Sequence, residues 1–529
     1  MQGFDVDQFV LTAERIRKKA LAEGRLLADP PDAELEKIVL KEPGIKRTRY
    51  GSLVAPSEPT SRAAMFTKNS VDTPFGEEEK ELLAQCERIM GTKKLVSVDR
   101  IVGNENSSVV VRLTVPEEFA HVAYGGKNLF VPANKKPKEP DYDIIMFFDE
   151  AYEPNKSKPL PKKDIAIRLA MLPDGRVVKV VRNSNYIGEY KKGVFASEDW
   201  AAKTRTKGLF LHAGCREDYL KSVQGDYRLT RTLLTSLSAN GKTTTTSKTL
   251  AREGKEKSWL VQDDGGTLMP DGTFYGFELG GIFVKTERVN PGEQIEIYYG
   301  LLKPDTFGEN IHVAEDGDFD FYNLDVTSNG RAVIKRTDFM HASLHIDVEQ
   351  VNNFILLTRG PLIPAISKLT TEQAVALMIL GQAMESSAGD PTRAGTIRSE
   401  FFYDPFMAGN KAEHANRFYE IAQNLPGLNC YLVNTGGIGE GEEFRKIKLE
   451  DTLRILDALL RNEMDKWEDS PTGFKVPAAV RLVNDIYFHP ERLYSQAEYE
   501  TKQGELNKLR HESIEAAGSG LHRVVREVF

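Results

Sequence analysis

Short apolar runs separated by turns dominate the first part of the chain. Residues 1–50 and 79–91 have the apolar spacing of amphipathic helices. Between residues 95 and 181 there are five runs with strand character: 95–98, 108–114, 143–148, 165–172 and 176–181. Strands that alternate with one or two helices are typical of an α/β or α+β domain. We therefore predict such a domain at the N-terminus, ending near residue 205.

The second part of the chain mixes strand-like runs with longer helices. Strand character continues at 274–286, 294–299, 331–336 and 430–434. Helical patterns cover 369–384, 411–424, 450–467 and 496–514, the first with Thr370 or Thr371 as its N-cap. Residues 385–403 are rich in Ser, Gly and Pro, which predicts a mobile loop beside a site. The whole pattern predicts a two-domain α/β protein divided into residues 1–205 and 206–529.

Composition narrows the class of protein. The 529 residues are 40% hydrophobic and 28% charged, and no apolar run approaches the ~20 residues that span a bilayer. Three widely separated cysteines predict a reducing, cytoplasmic setting without a disulfide framework or a zinc cluster. The net charge of −8 argues against a broad nucleic-acid surface, although local Lys and Arg clusters can still bind small anions.

The segment 233–250 has the layout of a phosphate-binding loop. An apolar, strand-like run leads into small residues and then into a polar stretch that could begin a helix. The residues of this loop are Ser238, Ala239, Asn240, Gly241, Lys242, Thr243 and Thr244. Such a loop binds phosphate through backbone N–H groups and the lysine, while the Thr hydroxyl binds magnesium. Ser236 stands where the usual pattern has Gly, and an ordinary polar turn is the alternative interpretation.

Three further features have the residue types of a metal and phosphate site. An apolar strand ends in Asp263-Asp264, where a nucleotide-binding sheet places a metal-linked carboxylate. His212 follows another apolar run, and Lys191-Lys192 precedes both. Taken one by one, these residues could equally be the end of a strand, a core histidine and a solvated turn. Their common order with the predicted loop favours a site.

Together these motifs resemble those of the ATP-dependent phosphoenolpyruvate carboxykinases. The resemblance extends from about residue 51 to the C-terminal helices and follows the order of the family's motifs. The segments that carry it are YIGEYKKG, GLFLHAGC, SLSANGKTT, QDDGG, FELGGIFVKT, IEIY, ENIHVAEDGDFDF and CYLVNTGG. It implies a two-domain fold with a phosphate loop in a mixed-sheet nucleotide domain, a substrate-binding N-terminal domain and a lid near 385–403.

The family's reaction converts oxaloacetate and ATP into phosphoenolpyruvate, CO2 and ADP, and the resemblance implies a role for each matching residue. Lys192, His212 and Asp264 would bind Mn²⁺, and Thr243 would bind the Mg²⁺ that accompanies ATP. Contacts with substrate or nucleotide would come from Arg62, Tyr186, Lys191, Lys242, Lys285, Glu296, Arg331, Lys446 and Ile447. A lysine ligates metal only as the neutral amine, which requires a lowered pKa. The implied partners are a small-molecule substrate and a nucleotide, with neither nucleic acid nor a membrane.

Some positions depart from the family pattern and leave alternatives open. Gly265-Gly266 replaces an acidic residue and a histidine, Ser236 and Ala239 replace loop glycines, and the segments around Arg62 and 385–403 are altered. A kinase with another acceptor or phosphoryl donor therefore remains an alternative, as does a nucleotide-binding regulator without catalysis. The sequence does not indicate an oligomeric state, the direction of the reaction or the preference between ATP and GTP.

Overall fold

The chain forms two compact units with mixed α/β structure. A computed structural model describes residues 4–57, 66–104, 108–134, 139–149, 165–237, 240–326, 329–384 and 395–529. The first unit comprises Met1–Thr206, Phe277–Met340 and Phe406–Gly409, and the second comprises Lys207–Gly276, His341–Pro405 and Asn410–Phe529. The chain thus leaves the first unit after Thr206 and returns to it at residues 277–340 and 406–409.

The helices and strands of the described residues are numbered in chain order. The α-helices are α1 Asp7–Ala22, α2 Asp32–Val39, α3 Glu77–Met90, α4 Ala120–Gly126, α5 Ile187–Arg205, α6 Lys242–Ser247, α7 Ile295–Leu301, α8 Thr371–Leu380, α9 Lys411–Gln423, α10 Leu449–Leu460, α11 Gln496–Ala516 and α12 Arg523–Arg526. The strands up to residue 285 are β1 Leu26–Ala28, β2 Lys46–Arg47, β3 Leu53–Ala55, β4 Thr67–Asn69, β5 Leu95–Val102, β6 Val109–Pro116, β7 Val131–Pro132, β8 Tyr142–Phe147, β9 Ala166–Met171, β10 Val177–Arg182, β11 Leu209–Leu211, β12 Ala213–Lys221, β13 Tyr227–Ser236, β14 Lys257–Gln262, β15 Gly266–Leu268, β16 Phe274–Gly276 and β17 Gly281–Lys285. The later strands are β18 Phe307–Glu309, β19 His312–Val313, β20 Phe319–Asp320, β21 Arg331–Lys335, β22 Asn353–Thr358, β23 Ile366–Leu369, β24 Gln382–Met384, β25 Ile397–Ser399, β26 Asn429–Asn434, β27 Gly437–Ile438, β28 Arg445–Lys446, β29 Trp467–Asp469 and β30 Lys475–Pro477.

The first unit is built on a mixed sheet with the strand order β1-β5-β6-β8-β10-β9-β4, in which β7 also pairs with β5. Helices α1 and α3 supply Phe9, Ile16 and Cys86 to a core shared with Ile145 and Val180 of the sheet. The amphipathic helix expected at 79–91 and the five strands expected between 95 and 181 are confirmed, with shifts of a few residues at their ends.

A second sheet explains why the chain returns to the first unit. Its order is β17-β21-β18-β3-β2, and β18 pairs in parallel with β3 of the N-terminal segment. This sheet also fixes helix α5, because Glu309 at the end of β18 accepts a hydrogen bond of 2.8 Å from the backbone N–H of Ile187. Tyr186, the N-cap residue, makes no side-chain cap of its own, so the carboxylate from another strand satisfies this N–H.

The second unit surrounds a mixed sheet with the order β14-β12-β13-β22-β26-β23-β30-β29. Side chains of its central strands alternate between two cores: Phe354 and Leu356 pack in one, and Ile355 and Leu357 in the other. This alternation follows the two-residue period of a strand, and burial of both faces accounts for the nearly continuous apolar sequence of β22 and β26.

Helix α8 begins as the sequence predicts and ends earlier. Thr370 and Gln373 form a reciprocal capping box, with hydrogen bonds of 3.2 and 3.0 Å. Gly381 ends the helix with φ of +49°, and a Cβ at this position would lie 1.6 Å from the backbone oxygen of Glu400. Only glycine fits there, so the helix stops at Leu380 and β24 follows.

The interpretation of 294–299 as a strand is wrong. The alternation of Ile and Glu in this short run resembles a strand, but the segment forms α7. The helix buries Glu296, Ile297, Gly300 and Leu301, which lie on one helical face. A run of this length carries too little periodicity to separate the two structures. The helix expected at 450–467 likewise ends early, at Leu460.

The three cysteines lie inside the units. Cys86 belongs to the first unit, and Cys215 and Cys430 belong to the second; all three are buried thiols. Burial raises the pKa of each thiol well above its ordinary value. Among the described residues, no helix has both the length and the apolar character that crossing a membrane requires.

The buried Glu309 carboxyl predicts a pH dependence of stability. Burial raises its pKa from 4.5 to about 7, so between these values the folded protein holds a proton that the unfolded chain releases. The contribution of Glu309 to the free energy of unfolding is therefore present at low pH and is lost as the pH rises through 7, by roughly 2 kcal/mol between pH 5 and 8. Urea unfolding of wild type and Glu309→Gln across this range should show a flatter pH profile for the variant.

The exposed Glu315 provides the control for this comparison. Glu315→Gln should leave the wild-type pH profile in place. Identical profiles for wild type and Glu309→Gln would contradict the assignment of this titration to Glu309.

Candidate functional site

The described part of the predicted loop turns sharply into helix α6. Gly241 has φ of +85°, a conformation that favours glycine, and the helix begins at Lys242. The backbone N–H of Thr245 donates to the oxygen of Gly241 at 2.8 Å, and Thr435 Oγ1 donates to the oxygen of Asn240 at 3.0 Å. These bonds fix both ends of the turn, with Thr243 and Thr244 half-buried in the first turn of the helix.

Asp264 connects the loop to His212. Its Oδ1 lies 2.5 Å from Lys242 Nζ and 3.0 Å from His212 Nε2. The three side chains come from the start of α6, the residue between β11 and β12, and the segment after β14. The structure therefore brings together His212, Lys242 and Asp264, which the sequence predicts as parts of one site.

The other ring nitrogen of His212 is oriented by a backbone carbonyl. His212 Nδ1 lies 2.8 Å from the oxygen of Tyr403, and because a carbonyl oxygen only accepts, Nδ1 donates. Nε2 is thereby directed at the Asp264 carboxylate. Phe402 and Tyr403 both have positive φ, +55° and +51°, an uncommon backbone for bulky residues that presents this carbonyl to the imidazole.

Close packing accounts for Gly266, one of the positions that depart from the family pattern. A Cβ on Gly266 would lie 2.3 Å from the ring of Phe274, so β15 has no room for a side chain at this position. A Cβ on Gly214 would likewise lie 2.7 Å from Thr246 Oγ1 of helix α6. Both glycines let backbone segments approach closely around the group of His212, Lys242 and Asp264.

Lys192 and Tyr186 lie in the first unit, at the start of α5. Lys192 Nζ is 3.1 Å from Glu189 Oε1 and lies 5.4 Å from the centre of the Tyr186 ring. Lys179 Nζ contacts the other carboxylate oxygen of Glu189 at 3.0 Å. Burial alone would raise the pKa of Glu189, but the two lysines lower it to about 2. Glu189 is therefore a fixed negative charge that holds Lys192 in place.

Gly188 and Lys191 complete the local geometry of this segment. A Cβ on Gly188 would lie 2.1 Å from the Tyr186 ring, so glycine permits the ring to fold over the helix. Lys191 is buried, with Nζ 3.0 Å from Glu278 Oε1 and close to the rings of Phe195 and Phe283. Both lysines of the pair are thus held inside the first unit, which excludes the interpretation of Lys191-Lys192 as a solvated turn.

Arg331 lies in register with other charged residues of the second sheet of the first unit. It pairs with Lys285 on β17 and with Glu309 on β18. Its guanidinium is buried and lies 2.9 Å from Glu287 Oε1. Burial lowers the pKa of Arg331, but Tyr186 and Glu287 outweigh burial and raise it overall. The sheet thus places a permanent positive charge near Tyr186.

The other residues predicted to contact nucleotide or substrate lie in several separate segments. Lys446 is exposed at the end of β28, whereas Ile447 is buried and its N–H donates to the oxygen of Gly436 at 3.1 Å. Glu296 is buried on α7. Arg62, Ser238 and Ala239 lie outside the described residues, as does the 385–394 part of the expected lid.

The donors around Asp264 suit a divalent metal ion. An imidazole nitrogen and a carboxylate oxygen lie 3.0 Å apart, and both are donor types that divalent metals accept from proteins. The carbonyl on Nδ1 supplies the orientation that metal-bound histidines usually have. No group of three or more His, Cys, Asp and Glu residues with suitable geometry occurs in the described ranges. Further ligands would have to be of other types.

Two residues that contact the predicted site segments were not identified from the sequence: Tyr403, which contacts His212, and Glu309, which contacts the start of α5. Tyr403 acts through its backbone carbonyl, which no side-chain pattern reveals. Glu309 lies within the ENIH segment of the resemblance, but nothing in the sequence indicates that it caps α5. Both contacts join segments more than a hundred residues apart.

Comparisons with known proteins agree with this arrangement of motifs. A family model described as phosphoenolpyruvate carboxykinase matches residues 57–485. One relative, named phosphoenolpyruvate carboxykinase (ATP), comes from Aeropyrum pernix and is 27% identical over 483 residues. The match covers 91% of this chain and 93% of the relative. Since the family model spans most of the sequence, the chain belongs to the phosphoenolpyruvate carboxykinase family.

Proposed function

We propose that this chain interconverts oxaloacetate and ATP with phosphoenolpyruvate, CO2 and ADP. Family membership supports carboxykinase chemistry, and the name of the Aeropyrum pernix relative supports ATP as the phosphoryl donor. The observation that carries the proposal is the Asp264 carboxylate, which contacts both Lys242 at the start of α6 and His212. It joins a candidate phosphate contact to a candidate metal ligand in one group.

The reaction builds negative charge beside existing negative charge. Cleavage of the carbon–carbon bond releases CO2 and leaves its electron pair on an enolate. The enolate oxygen then bonds to the γ-phosphorus while the bond to the β-phosphate oxygen breaks, which yields phosphoenolpyruvate and ADP. Stabilisation must therefore come from fixed positive charges and from oriented N–H groups.

In the second unit, the turn at Gly241 and the start of α6 are proposed to bind the nucleotide phosphates. The first backbone N–H groups of a helix have no partner within it and can donate to phosphate oxygens, and Lys242 adds a charge for the β- and γ-phosphates. Asp264 holds Lys242 in position until phosphate competes for it. Lys446 and Ile447 are proposed to contact adenine, and Thr243 to bind the Mg²⁺ that accompanies ATP.

In the first unit, Tyr186 and Arg331 are proposed to bind the substrate and the transferred phosphoryl group. The buried Arg331 keeps its charge at every relevant pH, and Tyr186 lies against Lys192. Lys191, Lys285, Glu296 and Arg62 are proposed to have the substrate or nucleotide roles that the family resemblance implies.

His212 and Asp264, with Lys192 as the further ligand implied by the resemblance, are proposed to hold Mn²⁺. When bound, such an ion supplies Lewis-acid stabilisation of oxygen charge. The chain orients the imidazole: the Tyr403 carbonyl accepts from Nδ1–H, so Nε2 presents its lone pair to the ion. Nitrogen ligands favour manganese over magnesium, whereas the Thr243 hydroxyl suits magnesium.

A coupled assay of the purified chain tests the proposed reaction. Oxaloacetate should be converted to phosphoenolpyruvate with ATP in the presence of Mn²⁺ and Mg²⁺, faster than with GTP. Turnover of ATP only with another acceptor would replace the carboxykinase by a kinase on the same scaffold. Absence of any metal-dependent turnover of a phosphoryl donor would favour a nucleotide-binding regulator.

His212→Ala should weaken the response to manganese more than the binding of nucleotide. The variant removes Nε2 but leaves the contact of Lys242 with Asp264, so ATP affinity should remain close to wild type. We expect a higher Mn²⁺ concentration at half-maximal activity and a lower kcat, measured by titrating Mn²⁺ in the coupled assay. His511→Ala, an exposed histidine on α11, is the matched control. Full activity and unchanged manganese dependence in His212→Ala would remove the metal assignment.

Lys242→Ala should impair phosphoryl transfer itself. Loss of one electrostatic contact with the transferring phosphates typically costs about 2–4 kcal/mol of transition-state stabilisation. The measurement is kcat/KM for ATP at saturating Mn²⁺, compared with Lys255→Ala, which removes an exposed lysine after α6. Equal kcat/KM values in wild type and Lys242→Ala would show that this loop does not bind the reacting phosphates.

A further inference from the structure

The second unit contains a cavity separate from the group around Asp264. Its volume is about 400 Å³, within the range of small-molecule sites. The wall is largely apolar and includes Leu362, Ile363, Leu377, Ile397, Leu432 and Leu506. His212, Lys242 and Asp264 are not among its described lining residues, although Tyr403, whose carbonyl orients His212, is one of them.

A buried guanidinium forms part of the wall. Arg510 on α11 is 2% exposed, and its Cζ lies 4.6 Å from the centre of the Phe529 ring and 5.7 Å from that of Phe474. Its Nε has no hydrogen-bond partner, and no carboxylate of the described residues forms an ion pair with it. Burial lowers the pKa of Arg510 to about 10, so the group is still charged at neutral pH. A buried charge without a counter-ion is costly and calls for an anion.

The other charged residues of the lining limit what that anion can be. Lys502 Nζ pairs with Glu440 Oε2 at 2.9 Å, and Glu505 and Arg359 also line the cavity. Lys502 already has its carboxylate partner, whereas Arg510 has none among the described residues, and a monoanion would supply one. A dianionic phosphate would be repelled more strongly by the Glu440 and Glu505 carboxylates of the wall.

We propose that this cavity binds a small apolar carboxylate, with its acid group on Arg510 and its body against the leucine-rich wall. A planar carboxylate matches the fork of a guanidinium, and the two rings on Arg510 keep the fork in place. The proposal is independent of the proposed reaction, because it concerns neither nucleotide nor metal.

Calorimetric titration of the full chain with 2-naphthoate tests the site. Wild type should bind the carboxylate, and Arg510→Met, which keeps the apolar bulk, should bind it about tenfold or more weakly. The neutral naphthalene-2-carboxamide has the same shape without the charge, so it should bind weakly and equally to both proteins. Lys508→Met removes an exposed cation from the same helix and should bind 2-naphthoate as wild type does.

A second variant keeps the test decisive if Arg510→Met fails to fold. Leu506 is half-buried in the wall, and Leu506→Glu should abolish 2-naphthoate binding by placing a negative charge in the cavity. Lack of 2-naphthoate binding to wild type at millimolar concentration would overturn the proposal. Equal affinities for acid and amide, or affinity unchanged by both variants, would overturn it as well.

Discussion

The contacts of the Asp264 carboxylate with Lys242 and His212 join three segments of the second unit. Lys242 approaches from the start of α6 and His212 from the residue before β12, while β14 delivers the carboxylate itself. The close approach of these segments requires glycine where β12 and β15 leave no room for a side chain, as at Gly214 and Gly266. The glycines and the charged contacts are therefore required together, because the charged side chains can meet only where the backbone segments lie close.

The first unit contains the same kind of arrangement, a carboxylate contacted by two basic side chains. Two lysines share Glu189, and Lys191 is placed against Glu278 and two aromatic rings. Buried pairs of this kind contribute little net stability, because desolvation of the charges offsets their attraction. Their consequence is geometric, since each lysine can occupy only the position that its carboxylate allows. In general, cations that are fixed before a ligand arrives favour the binding of negative groups.

Local patterns in the sequence predict most elements and single out three residues that the structure brings together. The strands of both main sheets appear as apolar runs, and His212, Lys242 and Asp264 lie in short motifs whose order is itself informative. What local patterns could not predict depends on distant contacts. Pairing of β18 with β3 returns residues 277–340 to the first unit, Glu309 caps a helix in another segment, and Tyr403 contributes only its backbone. The short α7 was mistaken for a strand because a single turn or two of helix has no distinctive period.

Alkylation of the three buried thiols can report which part of the chain opens first. Each of the three cysteines has its sulfur out of reach of solvent and a pKa that disfavours the reactive thiolate. Alkylation can then proceed only through conformations in which the surrounding core has separated. Because Cys86 lies in one unit and Cys215 and Cys430 in the other, the order in which the three are labelled would reveal which unit loosens first. Because the reagent reacts with cysteines that the chain already contains, no cysteine has to be introduced to follow this order of labelling.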